Sequence, residues 1–563
     1  MNEKRMNNDN VYEKNESYIK EWMESVWCKE ENNDGYDDDY YCFSSTVIKR
    51  REKLLNQLHD NFPTKATTAD DDIWLELALL IQKLFSHEKQ QLCYLIHVQR
   101  MKHKPILWCT DSIRLINHSA EMGLFHTDDH SSNSGHVLGV QVRQLLQKHH
   151  YTYSRITQTY LRKNNNNTIR DGNYFFQNRH ALQQENKISC ALCVLVRLYV
   201  FGLSVSSDIL QQYLEPCTID LLQQAHLLTN INSSDIDVWI GTVQIYPLQP
   251  SLFSPNCTKC HDHLYIMTDW PMESLFQPTN TAVMSIGCDS LELVALQVLS
   301  QPKQYSKQCV LDLCCGSGIQ GIVYASTHKN DCEEVLFIDL NPRALQFTKA
   351  NLALNQLTSS ISTKYHVIHG DLFQPSQVQN TDGFDVILAN PPFVIPTTID
   401  QPTAMYAVGG TDIDGLEVTR TILHTSHKYL CSNSGILLMV TELSNIQDIQ
   451  YHSHTLLLQT PQQKLDILYC IQDVESIDEY LQERQEEHAF PATKTTDLSL
   501  SQQLSKMQIE NRALVILKLQ QNEKNEVILH ALDKTMLVPP VQDDDEDALL
   551  TPIGLQFIQE AFQ

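Results

Sequence analysis

Val310 to Gly321 reads VLDLCCGSGIQG. An apolar run, CVLDL, arrives at Asp312; a Gly-Ser-Gly turn follows, and then apolar residues suited to a helix start. Strand, glycine turn and helix in that order are how an open α/β sheet cradles a nucleotide-like ligand at its carboxyl edge. Gly316 and Gly318 permit positive φ and let backbone approach a ligand where a Cβ would clash. The stretch is read as D-x-x-x-G-x-G and not as the dinucleotide fingerprint G-x-G-x-x-G. It has no Lys-Ser/Thr of a phosphate-binding loop, so a polyphosphate is not the expected ligand.

Working outward, Val335 to Ile338 is a second apolar strand and ends on Asp339, with Leu340 next. A carboxylate roughly 20 residues beyond such a turn is placed to accept ribose hydroxyls. Asn341-Pro342-Arg343 opens a helix with Pro just inside its start. A third strand, Tyr365 to Ile368, leads to His369-Gly370-Asp371-Leu372-Phe373, and a fourth, Phe384 to Ala389, stops at Asn390-Pro391-Pro392-Phe393. In a parallel sheet these four strand ends share one edge, so one cleft can hold them all. Gly435 to Leu443, Leu465 to Ile471 and Arg512 to Leu519 supply a fifth, sixth and seventh strand. The expected fold is α/β, a seven-stranded, mostly parallel Rossmann-like sheet, preceded by a mainly α-helical domain with a small β-wing.

Asp312, Gly316, Gly318, Asp339, Asp371 and the NPPF at 390–393 together resemble a class I S-adenosylmethionine (SAM)-dependent methyltransferase. The NPPF variant is similar to the group acting on planar amino nitrogens: release-factor glutamine methyltransferases, adenine amino methyltransferases and guanine-amine rRNA enzymes of the small-methyltransferase-domain type. The match covers about Ser285 to Leu519. The resemblance implies SAM as cofactor, with the turn formed by Asp312, Leu313, Cys314, Gly316 and Gly318 holding its methionine part. Asp339 would hold the ribose, with Leu340 beside it also bordering the cofactor, and Asp371 would accept from the adenine amine with Leu372 on the ring. Asn390, Pro391, Pro392 and Phe393 would grip the acceptor nitrogen, Asn390 also bordering the cofactor. Cys314-Cys315 departs from the small or polar residues usual there. No metal is implied.

The residue types suit that chemistry. An amide or aromatic amine nitrogen is a poor nucleophile because its lone pair is delocalised. The Asn390 side-chain oxygen and the Pro391 carbonyl can accept both amino hydrogens and draw the nitrogen toward tetrahedral geometry. Pro392 stiffens the turn, and Phe393 offers a face for a flat amide or base. Catalysis is then positioning and electrostatics.

The full chain has 563 residues and a formal net charge of −26. That balance disfavours nonspecific binding to a nucleic-acid backbone, whose affinity comes largely from Lys and Arg displacing counterions. The basic cluster at Lys49-Arg50-Arg51 and Lys53 reads as a solvated face. The expected partner is therefore a protein substrate, a translation factor for example, with structured RNA as the alternative; a non-catalytic SAM-binding assembly module is the third reading. Sixteen cysteines without a secretory signal suggest a reducing compartment. No apolar run reaches the ~18 residues of a membrane span. A cytoplasmic location is expected, with the nucleus as alternative, and no membrane partner; the oligomeric state stays open.

Residues 1–45 read as a disordered acidic N-terminus. Residues 46–180 read as a helical region with a His/Asn-rich insertion, including Asn164 to Asn167. Residues 181–284 suggest a winged-helix-like substrate domain: a helix around 188–202, a second opened by Ser206 to Leu210, a third around 218–228, then a strand pair around Val238 to Ile245. With LYIMTDWP and VMSIGCDSLEL this region resembles a bacterial methyltransferase branch that has a helical N-terminal domain. Residues 285–535 form the methyltransferase domain and 536–563 an acidic tail. Cys257-Thr258-Lys259-Cys260-His261 has haem-attachment spacing but reads as a Cys-bearing loop, since haem attachment needs an export compartment and zinc a second ligand pair. After NPPF, a long loop with Tyr406, Gly409 and Gly410 is a candidate lid. Asp412 and Asp414 read as caps of a helix starting near Leu416 in preference to a general-base pair.

Overall fold

The computed structural model describes residues 134–161, 169–178, 182, 188–253 apart from 204 and 234–235, 263–270, 282–299, 308–357 apart from 330, 363–378, 383–395, 410, 412, 414–443 apart from 432–434, 464–480, 511–522 and 528–532. Expectations for residues 1–45, most of the helical region at 46–180, CTKC at 257–260, Tyr406, Gly409 and the acidic tail lie outside the described residues.

The elements in chain order are helices α1 (Ser134–Lys148), α2 (Tyr153–Tyr160), α3 (Gly172–Gln177) and α4 (Ala191–Tyr199), strand β1 (Val205–Ser206), α5 (Ser207–Tyr213), α6 (Pro216–Gln224), β2 (Leu228–Ser233), β3 (Ile236–Gly241), β4 (Gln244–Leu248) and β5 (Leu264–Thr268). Then come α7 (Cys288–Leu299), β6 (Gln308–Leu313), α8 (Ile319–Thr327), β7 (Cys332–Asp339), α9 (Pro342–Leu354), β8 (Lys364–His369), β9 (Val386–Ala389), α10 (Glu417–Thr425), β10 (Ile436–Leu443), β11 (Lys464–Ser476), β12 (Asn511–Asn522) and β13 (Ile528–Leu532).

The large sheet has the order β13-β11-β12-β10-β9-β6-β7-β8. From β8 to β10 five strands run parallel, and β12 pairs antiparallel with both β10 and β11. This is a Rossmann-like α/β sheet. Its strand number is eight where the sequence suggested seven: β13 adds in parallel to β11. It lies past the last apolar run that read as a strand, and its pairing is decided by the exposed edge of β11. Central strands carry nearly continuous apolar runs because helices cover both faces; β6, β9 and β10 are almost entirely buried. The edge strand β8 is polar and mostly half-exposed. α9 starts as its sequence requires: the Asn341 side chain accepts from the Arg343 N–H, and Pro342 sits in the first turn.

Ahead of the sheet, β1, β3 and β2 make a three-stranded sheet beside α4, α5 and α6. The strand pair expected around 238–245 is displaced. β3 pairs with the upstream β2, whereas β4 leaves that sheet and pairs with β5. The apolar run DVWIGTVQIY reads as continuous, but Gly241 closes one strand inside it: a Cβ there would stand 2.4 Å from the Leu198 carbonyl oxygen.

α9 fastens this region to the large sheet. Asn351 and Asn355, one helical turn apart, act as surrogate peptide groups for β5. The Met267 N–H donates to the Asn351 Oδ1 (2.8 Å), and the Asn351 Nδ2 donates to the Met267 carbonyl (2.9 Å). Asn355 repeats the pattern at Tyr265 (3.0 and 2.8 Å). Tyr265 and Met267 direct their peptide groups to the same side of the strand, so two amides at i and i+4 cap an edge that would otherwise be buried without partners. Asp269 and Arg343 add a two-pronged ion pair, both about 5% exposed. One apolar cluster runs from Val142 on α1 through Tyr265 and Met267 to Phe347 and Val440. Among the described residues no helix is long and apolar enough to cross a membrane.

Candidate active site

The carboxyl ends of β9, β6, β7 and β8 lie side by side, so the sheet order gathers Asn390, Asp312 to Gly318, Asp339 with Leu340, and Asp371 with Leu372 at one edge. The turn after β6 is held from below. The Gly321 N–H donates to the Asp312 Oδ2 (2.8 Å), and the Gly316 N–H donates to the Asp339 Oδ2 (2.8 Å). The other Asp339 oxygen accepts from the Asn341 N–H (2.8 Å). Thr348 on α9 donates to the Gly316 carbonyl (3.0 Å), and Asn351 to the Ser317 carbonyl (2.9 Å).

Gly321 corrects the first reading of the turn. Gly316, Gly318 and Gly321 do complete the G-x-G-x-x-G spacing. A Cβ on Gly321 would meet the Phe337 ring at 2.5 Å, so this third glycine serves the close packing of α8 on β7. The glycines alone therefore do not separate a dinucleotide site from this one; the strand order and NPPF do. Cys314 takes a left-handed φ of +54, as does Leu372 at +44, a conformation that costs non-glycine residues energy and clusters at ligand sites.

The electrostatics favour a cation. Asp312 is about 1% exposed, and its Oδ1 has no hydrogen-bond partner. Burial, with the nearby Asp339, pushes its carboxyl well above the ordinary range. Burial also raises Asp339, against the opposing pull of its backbone donors. The thiols of Cys314 and Cys315 are raised for the same reason, which keeps them neutral. Leu340, 51% exposed, is one of two exposed large hydrophobics among the described residues. Asp371 is exposed, and its Oδ2 accepts from Gln374 (2.8 Å).

Asn390 is held by residues that had no expected role. Its Nδ2 donates to the Asp289 Oδ2 (2.9 Å) and approaches the Ser290 Oγ (3.4 Å) at the start of α7. Gln320 on α8 fixes that start by donating to the Ser290 carbonyl (2.9 Å), and Gln297 donates to Gln320 (2.7 Å). The Asn390 amide is thereby oriented, with no hydrogen bond to its Oδ1 from the described residues. Asp289 and Ser290 fall within GCDSLEL, where acid and hydroxyl side by side were the available signal. Phe393 is half-buried against the lower apolar cluster. Asp412 and Asp414 both pair with Arg420 (2.8 Å for Asp412), and Asp414 also accepts from the Leu416 N–H (3.2 Å), so both carboxylates are engaged in holding the start of α10. Among the described residues no cluster of His, Cys, Asp and Glu could hold a metal.

Residues 287–409 match the family model described as the methyltransferase small domain. This part of the chain is a class I SAM-dependent methyltransferase domain, and SAM is its cofactor. It is 29% identical over 147 residues to a ribosomal protein uL3 glutamine methyltransferase of Burkholderia pseudomallei, covering 24% of this chain and 44% of that protein. It is 28% identical over 154 residues to a release factor glutamine methyltransferase of Borreliella burgdorferi, covering 26% and 49%. It is 32% identical over 126 residues to a ribosomal RNA small subunit methyltransferase C of Erwinia tasmaniensis, covering 22% and 32%. The chain thus spans less than half the length of each of these relatives. The residues present fit the cofactor: the buried Asp312 carboxyl keeps one oxygen without a partner, the half-buried Asp339 stands beside it, and a Cβ on Gly316 would meet nothing within 4 Å.

Proposed function

We propose that this protein methylates a planar amino nitrogen, and that the acceptor is a protein glutamine amide. The observation that carries the reading is the orientation of Asn390: with its NH2 committed to Asp289 and Ser290, its Oδ1 is left to accept a hydrogen from the incoming amine. When bound, SAM supplies an electrophilic methyl on a positively charged sulfur. The Asn390 Oδ1 and the Pro391 carbonyl accept the two amino hydrogens and orient the nitrogen lone pair, while Phe393 stacks on the flat group. Asp312 and the 314–318 turn bind the methionine end. Asp339 would accept from the ribose hydroxyls, Leu372 would pack on the adenine with the exposed Leu340 nearby, and Asp371 would accept the adenine amine. In this reading the region 181–284 presents the substrate, and the protein acts in the cytoplasm.

The net charge of −26 and the glutamine methyltransferases among the relatives support a protein acceptor. The rRNA methyltransferase relative supports a base amine in the same pocket as the second reading. Purified protein with methyl-labelled SAM and cell lysate, treated afterwards with RNase or protease, separates them. Label lost with protease but not RNase is expected; the reverse promotes RNA, and no label despite SAM binding supports a non-catalytic module. Asn390→Ala should lower labelling about 10²–10³-fold, as loss of one preorganised transition-state contact does, while SAM affinity by calorimetry stays within a few-fold. Equal loss of both would sink the role given to Asn390.

A further inference from the structure

Away from the cleft, Ser189-Cys190-Ala191-Leu192-Cys193 opens α4. Cys190 is the residue before the first helical turn and is exposed; Cys193, three positions on, is about 4% exposed. Positions three apart share a helix face, and the two sulfurs lie 3.6 Å apart, in van der Waals contact. A disulfide requires about 2.05 Å, a closure of the scale that side-chain rotation provides. The helix start offers N–H groups and positive dipole to a thiolate, and Ser189 places its hydroxyl 3.7 Å from the Cys193 sulfur. Burial opposes ionisation of Cys193, yet donors from Ser189, Tyr160 and Cys190 together hold its thiol below the ordinary value. Cys314 and Cys315 make the contrast: burial beside Asp339 and Asp312 keeps those thiols protonated.

We infer that Cys190 and Cys193 are a dithiol that closes reversibly to an intramolecular disulfide, a modification site separate from methyl transfer. The oxidant is a small-molecule disulfide such as oxidised glutathione. The Cys190 thiolate attacks one of its sulfurs, forming a mixed disulfide and expelling one glutathione thiolate, which takes up a proton. The Cys193 sulfur, as thiolate, then attacks the Cys190 sulfur and expels the second glutathione. Two protein thiols are oxidised and one disulfide is reduced, a two-electron exchange that balances.

The full-length protein is equilibrated in buffers of rising oxidised-to-reduced glutathione ratio, quenched in acid, unfolded and alkylated. Trypsin cutting after Lys187 and Arg197 releases Ile188–Arg197, which carries both cysteines and no third. Expected is a peptide that escapes alkylation and is lighter by two hydrogens, restored to double alkylation by dithiothreitol. In Cys193→Ser the same treatment should leave a glutathione adduct on Cys190, the trapped first step. Full alkylation of the native protein across the series, or a persistent adduct on Cys190 with Cys193 still alkylated, overturns the inference. So does a Cys193→Ser protein with no adduct.

Discussion

Gly316 and Gly318 share left-handed backbone, at φ of +53 and +77, but each excludes a side chain for its own reason. At Gly318 a Cβ would stand 2.8 Å from the Thr348 side chain, so Gly318→Ala should cost stability, about 1–3 kcal/mol from strain and overpacking, read by urea titration. At Gly316 the space is open, and in the proposed reading it is the space the cofactor takes. Gly316→Ala should therefore weaken SAM binding more than it weakens the fold, measured by calorimetry beside denaturation. Asp339 adds a pH dependence. Burial raises its carboxyl above the unfolded value, so its contribution to stability without cofactor is present at acid pH and lost as pH rises through that raised pKa. Ribose binding by the carboxylate has the opposite sign, because it needs the ionised form. SAM affinity should fall as pH drops through the raised pKa, by up to tenfold per unit, and Asp339→Asn should make the dependence shallower, leaving the part that Asp312, raised likewise, carries.

Among the elements, α9 does the most to join structure to site. Its face presents Thr348 and Asn351 to the turn after β6 and Asn351 and Asn355 to β5. Asn351→Ala strands the Met267 peptide groups and the Ser317 carbonyl, each buried polar orphan costing about 1–3 kcal/mol. Asn355→Ala strands the Tyr265 groups and removes the acceptor of the Arg143 Nη1, which donates to Asn355 at 2.8 Å while Nη2 keeps the His263 carbonyl, but leaves the turn untouched. Both variants should lose stability comparably. Only Asn351→Ala should also raise the Kd for SAM severalfold, and equal Kd changes in the two would deny Asn351 its part in shaping the turn.

At the scale of the molecule, one apolar cluster spans the region before the sheet and the upper face of the sheet itself, crossed by the buried Asp269–Arg343 pair. Breaking such a pair from one side costs about 3–5 kcal/mol, since the surviving charge stays buried. The two regions should accordingly melt together. Calorimetry is expected to show one transition for them, and SAM at a hundred times its Kd should raise the stability of both by about 2.7 kcal/mol. Two separated transitions, with SAM moving only one, would show that they fold independently.

The strand ends at Asp312, Asp339, Asp371 and Asn390 were legible in the sequence because each signal is local: an apolar strand, a turn residue and an acid or amide within a few positions. Parallel order then follows from helices alternating with strands. Partner choice across long separations was not legible. Asn390 meets Asp289 from 101 residues away, Asn351 meets Met267 across 84, and Arg343 meets Asp269 across 74. The same limit misplaced the strand pair near 238–245, since an unbroken apolar run does not say which of two sheets its halves will join. Sequence by itself determined an α/β sheet, a glycine turn after one of its central strands and NPPF at the end of the neighbouring one. Only the tertiary structure decided which way the Asn390 amide faces and which amides close the buried edge of β5. Hydrogen-bond partners of buried groups are set by what packing brings into reach.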